Sequence, residues 1–228
     1  MPTFLHVGCG SKRKKQTTAG FDIPDWTELR LDIDEAVQPD IIGTMTNMSV
    51  VAEASVDAVY SSHNIEHLYP HEVPVALKEF LRVLKPDGFL IITCPDLRSV
   101  AQLIVEDKLT EASYTSPAGP IAPIDILYGH RRQLAQGNLY MAHRCGFTRK
   151  VLTGTLQAVG FQSIAAMERG ASKFDLWAAA SKSSRSEDQM RFLAEQHFPK
   201  SVRAGTKPVP QGQMKLESAG GPEGSASS

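Results

Sequence analysis

Near its start the chain reads LHVGCGSK, residues 5–12. An apolar run that ends in Gly-x-Gly marks a strand closing in a tight turn. Gly8 and Gly10 let the backbone take positive φ and leave room for a close approach, as loops that hold nucleotides require. Cys9, between them, offers mainly its backbone. Arg13 stands where the dinucleotide fingerprint has its third glycine, which weighs against an NAD site. Further on, ELRLDID at 28–34 ends in acids. A carboxylate at a strand end can accept both hydroxyls of a ribose. Asp32 is preferred for that task over Asp34, whose side chain alternates in direction if the strand continues. The bland alternative is a solvated strand end.

A second group of reactive side chains follows in SSHNIEH, residues 61–67. His63, Glu66 and His67 share one face of a helical turn at i, i+3 and i+4. A histidine that titrates near neutral pH can take a proton from a hydroxyl or an amine. His67 is the candidate base, although bracing of the loop by Glu66 and His67 is the preferred use. His63, His67 and His71 also have zinc-like spacing. Pro70 interrupts the helix before His71, and no metal is expected. His143, beside Arg144, joins Tyr128 and His130 as a candidate substrate contact, with loop packing equally open. The basic run Lys12, Arg13, Lys14 and Lys15 reads as solvated surface first and as an attractor of anionic substrate second. Cys94, in an apolar run, reads as filler rather than nucleophile.

These residues need a scaffold. The chain of 228 residues is 42% hydrophobic and 21% charged, which suits an α/β domain with extra segments. Its net charge of −1 gives no global attraction for nucleic acid. Three cysteines without a C-x-x-C pair argue against a disulfide framework or a thiolate zinc site, and a reducing, cytoplasmic compartment is expected. No signal peptide and no membrane span are expected.

Strands are expected at 3–8, 28–34, 39–45 and Val56–Ser62, separated by a polar loop at 9–26 that lacks helical spacing. Ala76, Leu77, Phe80, Leu81 and Leu84 mark a helix that Pro74 can start. Lys85-Pro86-Asp87-Gly88 is expected to stop it and turn the chain into a buried strand at 89–95. Asp96 and Thr148 are expected to cap two later helices. Residues 110–123 read as loop, 124–146 as a mixed insert, and 161–181 as a final hairpin of two strands. Residues 185–198 read as an appended helix, and the Gly/Pro/Ser-rich stretch from 203 onward as disordered. The alternation predicts a mainly parallel sheet, with ligands at the carboxyl ends of its strands.

In order and spacing, five segments resemble the class I S-adenosylmethionine-dependent methyltransferases, in particular a short bacterial subgroup. They are LHVGCGSK, WTELRLDID, SVDAVYSSHNIEHL, ALKEFLRVLKPDGFLIITCPDL and HRCGFTRKVLTGTLQAVGF. The resemblance covers residue 4 to about residue 182. It implies a Rossmann-like seven-stranded sheet whose last strand is antiparallel to the rest, with S-adenosylmethionine as methyl donor. Within it, Gly8, Cys9 and Gly10 would lie against the methionine part of the donor and Asp32 on its ribose. Ser61, Ser62 and His63 would line the pocket. The family usually has an acid after PDIIG; here Thr44 and Met45 stand there, so their backbone and the Thr44 hydroxyl would have to serve the adenine. The expected division is a methyltransferase domain at 1–182, the appended helix at 183–202 and the tail at 203–228. The expected acceptor is a small molecule or glycan of sugar type. The competing readings are a non-catalytic donor-binding protein that acts in a complex and, more weakly, an NAD-dependent oxidoreductase.

Overall fold

In β1 (Thr3–Val7) the residues alternate between two faces, Leu5 and Val7 on one and Phe4 and His6 on the other, all buried. The computed structural model describes residues 1–170 and 173–200, so the tail at 203–228 lies outside the described residues. Strand β1 lies inside a sheet completed by β2 (Thr27–Asp32), β3 (Ile41–Ile42), β4 (Val56–Ser62), β5 (Leu84–Pro95), β8 (Ser163–Glu168) and β9 (Asp175–Ser181). The order is β3-β2-β1-β4-β5-β9-β8. Strands β1 to β5 pair in parallel, and β9 runs antiparallel to both β5 and β8. The chain reverses its direction of travel across the sheet between β1 and β4. That is the point where open α/β sheets leave a crevice at their carboxyl ends.

Between β5 and β8 lie α2 (Leu97–Val105), the hairpin β6 (Tyr114–Ser116) and β7 (Gly119–Ile121), α3 (Pro123–Tyr128), α4 (Arg131–Ala135) and α5 (Arg149–Val159). Helix α1 (Val73–Val83) joins β4 to β5, and α6 (Glu187–His197) follows β9. Asp96 and Thr148 cap α2 and α5, accepting hydrogen bonds from the backbone N–H groups of Arg98 and Val151.

One sheet face is conventional. Leu77, Phe80, Leu152 and Leu156 of α1 and α5 bury it against Leu5, Val59, Leu90 and Ile92. The other face has no helix after β1. Residues 9–26 cross it with a single 3-10 turn at Lys14–Gln16, and Phe21 stacks on Phe4 at 4.2 Å between ring centres. Met190 and Leu193 of α6 close this face with Phe4, Phe21 and Phe89. The segment read as an appended helix is therefore part of the sheet's core.

Two expectations need correction. Lys85–Gly88 does not separate the helix from the strand. Val56 pairs with Leu84 and Ala58 with Phe89, so the four residues bulge out of a strand that has already begun. Pro86 has no N–H to give a ladder, and Lys85 reaches Asp57 at 2.8 Å across the bulge. Residues 110–123 are not plain loop, since they hold the β6–β7 hairpin.

Candidate active site

The glycine turn leaves β1 at the crevice. Gly8 and Gly10 take φ of +62° and +51°, a conformation that costs other residues energy. Their surroundings differ. A side chain at Gly8 would collide with the Asn64 amide, whereas one at Gly10 would enter open space. Asn64 donates to the carbonyls of Val7 and Ser62 at 3.0 and 3.1 Å, pinning the ends of β1 and β4 together. Close packing thus explains Gly8, and the free approach is at Gly10.

Asp32 ends β2 beside that approach. Its Oδ2 accepts the Gly10 N–H at 2.7 Å and its Oδ1 the Asp34 N–H at 2.9 Å. A carboxylate has lone pairs left after two such bonds. Asp34 is exposed, and its Oδ1 accepts from the Ala36 N–H at the start of a 3-10 turn. Below them lies Arg30, 2% exposed. Its guanidinium donates to the carbonyls of Gly10, Gln38, Lys12 and Val37 at 2.6 to 3.3 Å. One buried cation therefore ties the glycine turn to the loop after β2. Neither Arg30 nor Asn64 was singled out in the sequence. The signal for Arg30 was there: Glu28, Arg30 and Asp32 alternate with Leu29 and Leu31 on the face that lacks a helix.

Thr44 and Met45 follow β3. The Thr44 hydroxyl lies 3.1 Å from that of Thr46, and Met45 packs against the core. Ser61 is fully buried, and the Ser62 hydroxyl pairs with that of Thr93 at 2.9 Å. His63 takes a left-handed φ of +55° and donates its N–H to the Thr93 carbonyl. Such strain in a β4-end residue is a mark of a functional loop. Burial pushes the Cys9 and Cys145 thiols up to about 11 and raises that of Cys94 well above its ordinary value, so none is a thiolate at neutral pH.

Beyond β4 the chain makes a 3-10 turn at Ile65–His67, tighter than the helical turn expected. Residues 142–145 of the insert dock on it. The Glu66 carbonyl accepts the N–H groups of Arg144 and Cys145, at 2.8 and 3.2 Å. This brings His143 against His67, with ring centres 4.9 Å apart. His67 Nδ1 lies 3.1 Å from the Ala142 carbonyl and His143 Nδ1 2.7 Å from that of Ile126. A carbonyl only accepts, so each Nδ1 donates, and each Nε2 keeps the free lone pair. Burial lowers the pKa of His143, which favours the neutral ring. Beside the rings, Glu66 is 1% exposed, and neither of its oxygens makes a hydrogen bond. Its nearest charge partner is His63 Nδ1, at 3.4 Å. Burial resists the charge on Glu66, but His63 first, then the fields of His67 and His143, holds its pKa below the ordinary carboxylate value.

The other candidates fall outside this group. His71 is exposed and stacks on Tyr69. Tyr128 is 62% exposed. In the basic run, Lys14 turns inward and donates to the carbonyls of Ile23 and Trp26, leaving Lys12, Arg13 and Lys15 exposed. Two surface clefts lie elsewhere, one of about 500 Å³ beside Lys78 and Arg82 and one of about 370 Å³ beside Lys85 and Arg185. Neither touches the glycine turn or the histidines, and the convergence of polar groups decides for the strand ends.

A seven-stranded sheet of this order, with an antiparallel β9 and a glycine turn after β1, is the Rossmann-like fold of class I methyltransferases. Residues 5–92 match the family model described as a methyltransferase domain. Over that segment the chain is similar to methyltransferase domains, and its fold is the one that S-adenosylmethionine-dependent methyltransferases share. Solved structures agree on the fold at low identity. A putative S-adenosylmethionine-dependent methyltransferase from Listeria monocytogenes superposes with a TM-score of 0.53 at 16% identity, over 80% of this chain and 90% of that one. A methyltransferase from Methanosarcina mazei gives 0.51 at 16%, over 80% and 93%. The 1,6-didemethyltoxoflavin-N1-methyltransferase of Burkholderia thailandensis, solved with 1,6-didemethyltoxoflavin and S-adenosylhomocysteine, gives 0.50 at 16%, over 80% and 72%. No curated protein sequence is significantly similar to the chain. Among the described residues no helix is long and apolar enough to cross a membrane.

Proposed function

We propose that the enzyme methylates a hydroxyl of a small, sugar-type acceptor, with the donor on the β1–β2 side of the crevice and the acceptor on the β4 side. The observation that carries this reading is the pairing of His67 and His143, each with Nδ1 held by a carbonyl and Nε2 left to act. The donor's sulfonium already activates its methyl group, so the protein has to align oxygen, methyl and sulfur and exclude water. A base matters only where the acceptor keeps a proton until transfer, as a hydroxyl does. A neutral imidazole beside the acceptor takes that proton.

On the donor side, Asp32 receives the ribose hydroxyls on its remaining lone pairs, and the open face of Gly10 admits the amino-acid end. Gly8 and Cys9 shape the turn. Ser61, Ser62 and His63 line the floor between donor and acceptor. The adenine lies towards Thr44 and Met45, where hydroxyl and backbone replace the usual acid. A small acceptor agrees with the net charge of −1 and with the small molecule bound in the Burkholderia thailandensis structure.

The test is a transfer assay with labelled donor against panels of sugars, glycans, amines and nucleic acids. Hydroxyl acceptors of sugar type are expected to take label. Label on amines or nucleic acid alone would overturn the reading.

A further inference from the structure

Among the described residues, three metal-capable side chains converge: Glu66, His67 and His143, with one ligating atom of each within 4.8 Å of the others. Three observations single out this group. Both rings donate Nδ1–H to backbone carbonyls, the outer bond that fixes the tautomer and orientation of metal-bound histidines. Glu66 is buried, and both its oxygens lack a hydrogen-bond donor. A buried carboxylate in that state needs a compensating cation. The donor set, one carboxylate and two imidazoles, is that of zinc and related first-row ions, whereas magnesium and calcium favour oxygen.

We propose that Glu66, His67 and His143 bind a divalent transition-metal ion of zinc-like preference, with His63 close enough to steady the carboxylate. Zinc–ligand bonds of about 2.0–2.1 Å draw tetrahedral neighbours to roughly 3.4 Å apart. The three atoms therefore close in by up to about 1.4 Å on binding, a movement within the reach of small side-chain rotations. This ligand set differs from the one the spacing invites, since His71 lies outside it. The catalytic use of the ion rests on the methyl-transfer reading: it would hold the acceptor's oxygen and lower its pKa in place of a free histidine base. Its binding does not depend on that reading.

The test uses the full chain, stripped with a chelator and dialysed. It is titrated with Zn²⁺ by calorimetry and with Co²⁺ by visible absorption at neutral pH. One ion per chain is expected, with Co²⁺ bands of nitrogen and oxygen ligation. Glu66→Gln and His143→Gln are each expected to weaken binding by about 100-fold, and His71→Ala to leave it unchanged. The melting shift with S-adenosylhomocysteine reports whether each variant is folded. If Glu66→Gln does not fold, His143→Gln carries the comparison. Absence of stoichiometric binding by the parent, or parent-like binding in the folded variants, would overturn the site. A melting shift with S-adenosylhomocysteine in a parent that binds no metal refutes the ion and leaves methyl transfer standing. Metal binding without that shift does the reverse.

Discussion

The two sides of the crevice are built differently. On the β1–β2 side the polar atoms are already engaged: Asp32 holds Gly10, and Arg30 holds four carbonyls. On the β4 side backbone bonds do the joining, from Arg144 and Cys145 to Glu66 and from His143 to Tyr128. The side chains there keep free atoms, two Nε2 lone pairs and the Glu66 oxygens. A pre-set donor site suits a ligand that never varies. Unspent polar atoms suit the group that must change protonation or take a ligand. Variants on the first side should damage binding and stability, and those on the second should damage turnover.

The largest effect is expected at Arg30. Arg30→Met removes the charged donor from four carbonyls and leaves buried acceptors unpaired. The cost is about 3 kcal/mol or more of unfolding free energy, read by urea titration, and donor affinity falls with it. Unchanged stability would show that the turn stands without this brace.

Next comes acid. Burial lowers the pKa of His197, packed on Phe21 behind the glycine turn, to about 4 from 6.5. Its folded pKa is depressed, so the unfolded chain binds more protons between those values. Stability from this group is full above pH 6.5 and is lost as pH falls towards 4, by ~3 kcal/mol. Burial lowers His6 in the same sense. His197→Gln should flatten the loss of unfolding free energy across that window. An equally steep loss in the variant would place the acid sensitivity elsewhere.

The difference between the two sides also governs what could be read beforehand. Strand β4 was legible to the residue, because its β-branched and aromatic run has clear limits. The turn at Gly8 and Gly10 and the place of Asp32 at the end of β2 were legible from short local patterns, although the bond that joins Asp32 to Gly10 spans 22 positions. His67 and His143 could be named but not joined, since 76 positions separate them and backbone bonds bring them together. Strands β6 and β7 escaped notice, being three residues each, with Pro117 in the turn between them and Pro120 inside β7. The role of α6 was missed because its match is the aromatic loop of residues 9–26, which fills the space of a first helix.

His143→Gln sharpens the contrast on the acceptor side. Turnover should fall ~100-fold, the scale of a lost general base, with donor affinity intact. Loss of donor affinity in step with turnover would mean that the ring only supports the loop.

The most direct test of the account is a calorimetric titration of S-adenosylhomocysteine into the parent and Asp32→Asn. The parent should bind one molecule per chain and should not bind NAD. Asp32→Asn weakens charge-assisted bonds worth ~1.5–3 kcal/mol each and should bind about tenfold more weakly or worse. No binding by the parent, or equal binding by the variant, would contradict the donor site drawn around Gly10 and Asp32.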